Sequence, residues 1–169
     1  MSLAVSIDDG AGVPAAMQRR LRTEVGRMVR AAARRDRRDD YDVSLRLVGD
    51  AAIRALNRDY RAKDRPTDVL AFAQRPRVTG PSGPASRPER EAPGSAIHAG
   101  LLGDIVISVD TARRQAKRGL YRELLHLASH GLCHLLGYDH RDDDEERAMN
   151  ARAAALRDEA SRRGRVRAA

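Results

Sequence analysis

The stretch LYRELLHLASHGLCHLLGYDH, residues 120–140, has the most apolar helical pattern in the chain and contains Gly137 near its C-terminal end. Within it, His130 and His134 are four positions apart, so on a helix they share one face with Cβ atoms about 5–6 Å apart. Gly137 can leave the helix through a left-handed backbone conformation, which turns the chain back and brings His140 near the pair. The pattern therefore predicts a helix with three imidazoles gathered at its C-terminal end.

Three histidines in this arrangement predict a catalytic zinc site. The spacing lets imidazole nitrogens reach one ion at about 2.0–2.1 Å, and three protein ligands leave the fourth position of a tetrahedral ion open to water. A pair of histidines four apart often occurs by coincidence, but the full pattern HxxxHxxGxxH is much more specific. The sequence predicts one zinc ion per chain, bound by His130, His134 and His140.

Three neighbours of these histidines have more than one interpretation. His126 continues the histidine stripe, but about 80° of helical rotation separates it from His134, so we expect a packed neighbour of the site rather than a ligand. Cys133 points away from His134, which favours a core thiol. Asp139 is a candidate hydrogen-bond acceptor for a ligand imidazole, or simply a residue of the turn.

The rest of the chain alternates between strand and helix patterns. Strands are predicted at residues 3–7, 41–48, 69–73 and 105–109. Helices are predicted at residues 14–33, 110–118 and 120–136, and from 142 to about 163. A further helix is predicted to be capped by Asp50 and to carry Ile53, Leu56 and Tyr60. This order of four strands and five helices predicts a layered α+β or α/β fold around a small, mixed, four-stranded sheet.

Residues 74–98 differ in composition from everything around them. They include five prolines and several Gly and Ser, with little that could be buried. This composition predicts an exposed, flexible loop. Because neither side of the loop has enough apolar residues for a core of its own, residues 1–169 are predicted to form a single domain.

The charge favours a polyanionic partner. The net charge is +8 and the isoelectric point is near 10.6, which makes nucleic acid the first candidate. An Arg- and Ala-rich composition can also reflect genomic base composition, so charge alone leaves the partner open. The chain has few aromatic residues, and we therefore do not expect it to read RNA bases through stacking platforms.

The location is predicted from what the sequence lacks. A single Cys excludes an internal disulfide and fits a reducing compartment. The first residues carry no signal-peptide pattern, and no apolar run approaches the roughly 18 residues of a membrane span. We therefore expect a cytoplasmic protein that does not enter a membrane.

Two families share parts of this pattern. The histidine helix resembles the HExxHxxGxxH helix of the metzincin peptidases, but Gly131 stands where those enzymes have their general-base glutamate. HGLCHLLGYDH at 130–140 resembles the signature of the YbeY family of rRNA maturation factors. Two further blocks agree with that family in order and spacing: LNRDYRAKDRPTDVLAF at 56–72 and LGDIVIS at 102–108. Ala71, where the family usually has Ser, and Cys133, where it usually has an aliphatic residue, are departures from its pattern.

The YbeY resemblance implies an α+β metalloprotein with zinc on the three histidines. It implies a single-strand-specific endoribonuclease that acts in small-subunit rRNA maturation and ribosome quality control, with the ribosome or ribosomal proteins as partners. It also implies that Arg61 faces the metal cleft as a catalytic residue. Lys63 and Arg65 are candidate substrate-binding residues beside it, although a solvated basic turn would have the same sequence.

Two other functions stay open. One is a non-enzymatic ribosome-assembly factor with a structural zinc. The other is a different zinc hydrolase, of which a peptidase is the least favoured because Gly131 cannot accept a proton.

Overall fold

The computed structural model describes residues 3–7, 11–38, 41–74 and 101–166, with backbone only for residues 3–7 and 164–166. Apart from Gln74, the predicted loop at 74–98 lies outside the described residues. The elements in chain order are β1 (Leu3–Ile7), α1 (Ala15–Arg35), β2 (Asp42–Val48), α2 (Asp50–Arg61), β3 (Val69–Ala73), β4 (Leu101–Ser108), α3 (Val109–Gln115), α4 (Leu120–Leu135) and α5 (Asp143–Val166).

The four strands form one mixed sheet in the order β1-β2-β4-β3. β1, β2 and β4 run parallel, and β3 joins β4 antiparallel, with Val69 opposite Ile107 and Ala73 opposite Gly103. In the residues that the structure describes, four mixed strands and five helices confirm the predicted α+β class. Of the described helices, none combines the length and low polarity that a membrane-spanning segment needs.

The sheet is covered on both faces. α1, α4 and α5 pack together over one face, and their apolar side chains share the larger core with β2 and β4. α2 covers the other face, where Ile53 packs with Val48, Leu70 and Val106 in a smaller core. The edge strand β3 contributes to both cores because successive side chains of a strand point to opposite faces.

Two predicted boundaries were wrong by several residues. β4 begins at Leu101, four residues before the predicted start, and α3 ends at Gln115 instead of residue 118. Gly103 explains the first difference, since glycine weakens a strand pattern in the sequence. It has a φ of +144°, and an added Cβ would lie 2.1 Å from the carbonyl oxygen of Phe72, so only glycine fits this close strand pairing.

Asp50 does not cap α2 as predicted. It is the first residue of the helix, and Gly49 occupies the cap position. Its carboxylate instead accepts hydrogen bonds from the hydroxyls of Ser108, at 2.6 Å, and Thr111, at 2.7 Å, and pairs with Arg114 at 2.7 Å. Asp50 thus joins α2 to the junction of β4 and α3, which are distant in sequence.

The surroundings of Asp50 favour its charged form. Burial opposes ionisation, but the hydrogen bonds from Ser108, Thr111 and Arg114 outweigh it and hold the pKa of the carboxyl below its ordinary value of 3.8. Because folding lowers this pKa, the stabilising contribution is complete above the ordinary value and is lost as the pH falls through the folded-state value.

We therefore expect Asp50→Asn to lower the free energy of unfolding by about 1–2 kcal/mol at pH 7, since hydrogen bonds to a charged group are replaced by neutral ones. The difference from wild type should narrow as the pH falls below about 4. Urea unfolding between pH 7 and pH 3.5 measures both. Asp64→Asn is the matched control, because Asp64 pairs with Arg54 in solvent. This substitution should change the free energy of unfolding little at any pH. A deficit for Asp50→Asn that does not change with pH would contradict this account.

α4 approaches β4 closely at Gly131. This glycine is buried, and an added Cβ would lie 2.6 Å from Cγ2 of Ile105, well inside van der Waals contact. The helix can reach the sheet at this distance only because the position has no side chain. The same contact is the physical reason that a glutamate cannot stand at this point of the histidine helix.

Gly131→Ala tests the close approach. Helix propensity alone would favour alanine by about 1 kcal/mol, but we expect a net destabilisation of about 1–3 kcal/mol because α4 must move away from Ile105. Chemical unfolding measures the change. In a double-mutant cycle with Ile105→Ala, the two losses should be less than additive, because removing Cγ2 makes room for the new methyl group. Strict additivity would mean that the two side chains do not compete for this space.

Candidate active site

The C-terminal end of α4 closes in the way that Gly137 predicts. Gly137 has a φ of +96°, its N–H donates to the carbonyl of His134, and the N–H of Tyr138 donates to the carbonyl of Cys133, both at 3.0 Å. These two bonds form a Schellman motif, which satisfies the last carbonyls of the helix and reverses the chain. The reversal brings residues 138–140 back beside His134.

His134 is held by the turn that follows it. Its Nδ1 lies 3.2 Å from the carbonyl oxygen of Tyr138. Because a carbonyl oxygen can only accept, Nδ1 carries the proton, and the lone pair of the neutral ring is on Nε2. Burial, followed by the positive charge of His140, lowers the pKa of His134. The ring is therefore neutral at pH 7, which is the form that binds metal ions.

His134, Asp139 and His140 lie together. One ligand-type atom from each is within 4.8 Å of the others, and the two imidazole rings are 5.2 Å apart between centroids. Two imidazoles and a carboxylate are donors that suit zinc. The carboxylate of Asp139 also accepts the backbone N–H of His140, at 2.9 Å, and pairs with Arg141 at 3.1 Å. Asp139 thus holds the turn that places His140 next to His134.

The structure does not bring His130 into this group. Its Nε2 is 2.8 Å from Oδ1 of Asn150 on α5, and its Nδ1 is 3.2 Å from the carbonyl oxygen of His126. The ring also packs against the ring of His126, at 4.2 Å between centroids. Because Oδ1 of Asn150 accepts, Nε2 of His130 carries the proton in this contact and has no lone pair for a metal ion. To join His134 and His140 as a ligand, His130 has to release Asn150.

Asn150 was missed in the sequence. It follows His130 by 20 residues on a different helix, and a single polar residue in a charged helix gives no signal of such a contact. The two other predictions around His130 are confirmed. His126 is an exposed neighbour of the site whose ring contacts that of His130, and Cys133 is a fully buried thiol whose pKa is raised by that burial to about 11.

A buried asparagine fixes the basic segment that follows α2. Asn57 is 3% exposed. Its side-chain amide donates to the carbonyl of Arg65 at 2.8 Å, and its backbone carbonyl accepts from the N–H of Lys63 at 3.2 Å. Between them, Ala62 adopts a left-handed φ of 56° that ends the helix. The turn that carries the predicted cationic residues therefore has a defined shape.

The cations of this segment divide into two groups. Arg54 pairs with Asp64 at 2.8 Å, and Arg58 pairs with Asp59 at 3.1 Å. The exposed side chains of Arg61, Lys63 and Arg65 form no ion pair with any carboxylate in the described ranges. The charge of Arg61 is also among the influences that lower the pKa of His134, after burial and His140. These three cations are therefore not neutralised by any carboxylate that the structure describes.

Comparisons with known proteins agree with this architecture. The family model described as "Endoribonuclease YbeY" matches residues 10–161. The endoribonuclease YbeY of Anaeromyxobacter sp. (strain Fw109-5) is 42% identical over 159 residues, which cover 92% of this chain and 70% of the relative. That of Moorella thermoacetica is 49% identical over 129 residues, covering 75% of this chain and 77% of the relative.

A solved structure with the same fold has a more distant sequence. The solution structure of TM1509 from Thermotoga maritima superposes with a TM-score of 0.56 at 22% identity, covering 98% of this chain and 93% of that one. This likeness supports the fold alone, whereas the family model and the relatives extend over most of the sequence. They confirm the predicted resemblance: the chain belongs to the YbeY endoribonuclease family.

Proposed function

We propose that the chain is a single-domain, metal-dependent endoribonuclease that cuts single-stranded RNA during maturation of small-subunit rRNA. The observation that carries this proposal is the metal-type cluster of His134, Asp139 and His140, and the guanidinium of Arg61, which pairs with no carboxylate in the described part of the chain, supports it. A cation that is free of carboxylates can bind a phosphate, and an adjacent metal site can act on it. Membership of the YbeY endoribonuclease family supports the same reaction.

His130, His134 and His140 would hold one zinc ion. The donor set supports this, since His134 has its Nε2 lone pair free and His140 lies beside it. His130 would complete the set by turning from Asn150. When bound, a zinc ion supplies a Lewis acid that polarises a phosphoryl oxygen and lowers the pKa of water.

Arg61 would act on the scissile phosphate. A guanidinium is always charged and offers two parallel N–H donors that match two phosphate oxygens. At the end of α2 it can hold the phosphate against the metal centre and stabilise the negative charge that builds on its oxygens during cleavage. Lys63 and Arg65, fixed by Asn57, would bind the neighbouring phosphates. Asp139 would contribute by keeping His140 in place.

Gly131 argues against peptide hydrolysis by this scaffold. A peptidase of the metzincin type uses a glutamate at this position as its general base. Here the position is a glycine that packs on Ile105 and has no space for a side chain. RNA cleavage has no need of that glutamate if the nucleophile is the ribose 2′-hydroxyl of the substrate itself.

In the cell, the substrate would be precursor rRNA in the cytoplasm, in contact with the ribosome or its proteins. The net charge of +8 supports binding of a polyanion through phosphate contacts. Such binding weakens steeply with salt.

Cleavage of a single-stranded rRNA fragment tests the proposed function. We expect cutting by the zinc-loaded protein and at least a 100-fold loss for His134→Ala, because that variant lacks a ligand. The two proteins are purified identically, zinc content is measured by atomic absorption, and products are resolved on denaturing gels. Equal activity in both would identify a contaminating nuclease. No cutting by fully loaded wild type would favour the assembly-factor function, in which RNA binding is the whole activity.

Arg61→Ala separates the catalytic role of Arg61 from general RNA affinity. We expect kcat to fall about 100- to 1,000-fold, as for other lost transition-state contacts, with zinc content and unfolding midpoint unchanged. Arg58→Ala is the matched control, because Arg58 lies on the same helical turn but pairs with Asp59. Single-turnover kinetics at saturating enzyme isolate the chemical step. A similar, small loss in both variants would mean that Arg61 only adds charge.

A further inference from the structure

Tyr60 is the large hydrophobic side chain that the described part of the structure leaves exposed, at 70% of its surface. Its helical spacing with Ile53 and Leu56 predicted a place in the apolar face of α2. Ile53 is fully buried and Leu56 half-buried, but Tyr60, one turn further on, is exposed. A single exposed tyrosine is ordinary by itself, so the surroundings of this ring decide what it can do.

The ring of Tyr60 has a fixed support. It meets Phe72 of β3 edge-to-face, with centroids 5.1 Å apart and planes at 63°. Phe72 packs in turn against the smaller core beneath α2. This arrangement is a favourable geometry for two aromatic rings. It orients Tyr60 while most of its surface remains in contact with solvent.

The position of the pair relates it to the candidate active site. β3 is the edge strand, and α4 packs against it on the face opposite to α2. Phe72 points to the α2 side, whereas Ala71 packs on the side of α4. Arg61 follows Tyr60 directly and is the last residue of α2. The aromatic pair and the helix that carries His134 therefore lie on opposite faces of one strand, and Arg61 is next to the pair in the sequence.

The chemistry of the patch suits one kind of ligand. It joins an open aromatic surface to three cations, Arg61, Lys63 and Arg65, that no described carboxylate neutralises. Single-stranded nucleic acid presents the complement, with phosphates for the cations and unstacked bases for the ring. An apolar protein surface would leave the three charges without partners, and a duplex would keep its bases stacked inside.

We propose that Tyr60, supported by Phe72, is a stacking platform for a base of the single-stranded RNA whose phosphate is held at Arg61. This inference rests on the proposed function and deepens it, because a site that needs an unstacked base beside the cleaved phosphate selects single strands over duplexes. A single platform does not read base sequence, so the inference is compatible with the expectation from composition.

The test compares two non-cleavable strands of equal length and phosphate number. One is a 2′-O-methyl RNA oligonucleotide, and the other has the same backbone with abasic residues. Both are bound to the zinc-loaded full-length protein at low salt, with affinity measured by fluorescence anisotropy and strand integrity checked on gels. We expect Tyr60→Ala to weaken binding of the RNA strand about 5- to 100-fold, the usual range for a lost stacking contact.

The controls give each outcome a distinct meaning. Tyr60→Phe should bind RNA as wild type does, and Tyr60→Leu should behave like Tyr60→Ala, because stacking needs the ring rather than its hydroxyl or its apolarity. On the abasic strand all three variants should match wild type, whereas Arg61→Ala should weaken both strands. Circular dichroism confirms that each variant is folded, as the exposure of Tyr60 leads us to expect.

Two results would overturn the inference and leave the proposed function standing. In one, Tyr60→Ala binds RNA as tightly as wild type does. In the other, it loses the same affinity for both strands, which would mean that the ring does not contact a base. Failure of wild type to bind the RNA strand at all would remove the proposed function and this inference together.

Discussion

The close packing of α4 on β4 is the constraint on which the rest of the molecule depends. Gly131 lies against Ile105 with no space for a side chain, and Leu135 lies close to Gly103. Two glycines on opposite partners thus let a helix approach a sheet more closely than ordinary side chains permit. Since the histidines are on the same helix, this contact sets their height above the sheet. The contact also bears on the chemistry, because Gly131, which permits it, stands where a metzincin peptidase has its general-base glutamate.

The site that we propose draws on the ends of two helices that pack on opposite faces of the sheet. Each ends in a left-handed residue, Gly137 after α4 and Ala62 after α2, and each is followed by a short segment fixed by hydrogen bonds. One segment supplies His140, and the other supplies the cations around Arg61. Rigid supports of this kind are what a metal and phosphate site requires, because small displacements of the groups that hold a reacting atom are costly.

The polar contacts around the histidines have unequal roles. The carbonyl of Tyr138 holds His134 in the tautomer that leaves Nε2 free, so this ring is ready for a metal ion. His130 is bound to Asn150 instead, and the net free energy of a typical hydrogen bond is only about 1 kcal/mol. This free energy is small compared with the free energy of binding a zinc ion to three imidazoles. The contact with Asn150 therefore connects α5 to the site without preventing a change in the position of His130.

The sequence by itself determined the fold class, the four strands and five helices, the turn at Gly137 and the family, because these follow from local periodicity, a glycine and a spaced signature. Tertiary structure decided the rest. Asp50 looked like a helix cap and instead binds Ser108 and Thr111, which are about 60 positions away. The contact of His130 with Asn150 and the exposure of Tyr60 beside Phe72 also depend on how separate elements pack. The spacing of apolar residues predicts which face of a helix is apolar. It does not predict how much of that face another element covers and how much is left in solvent.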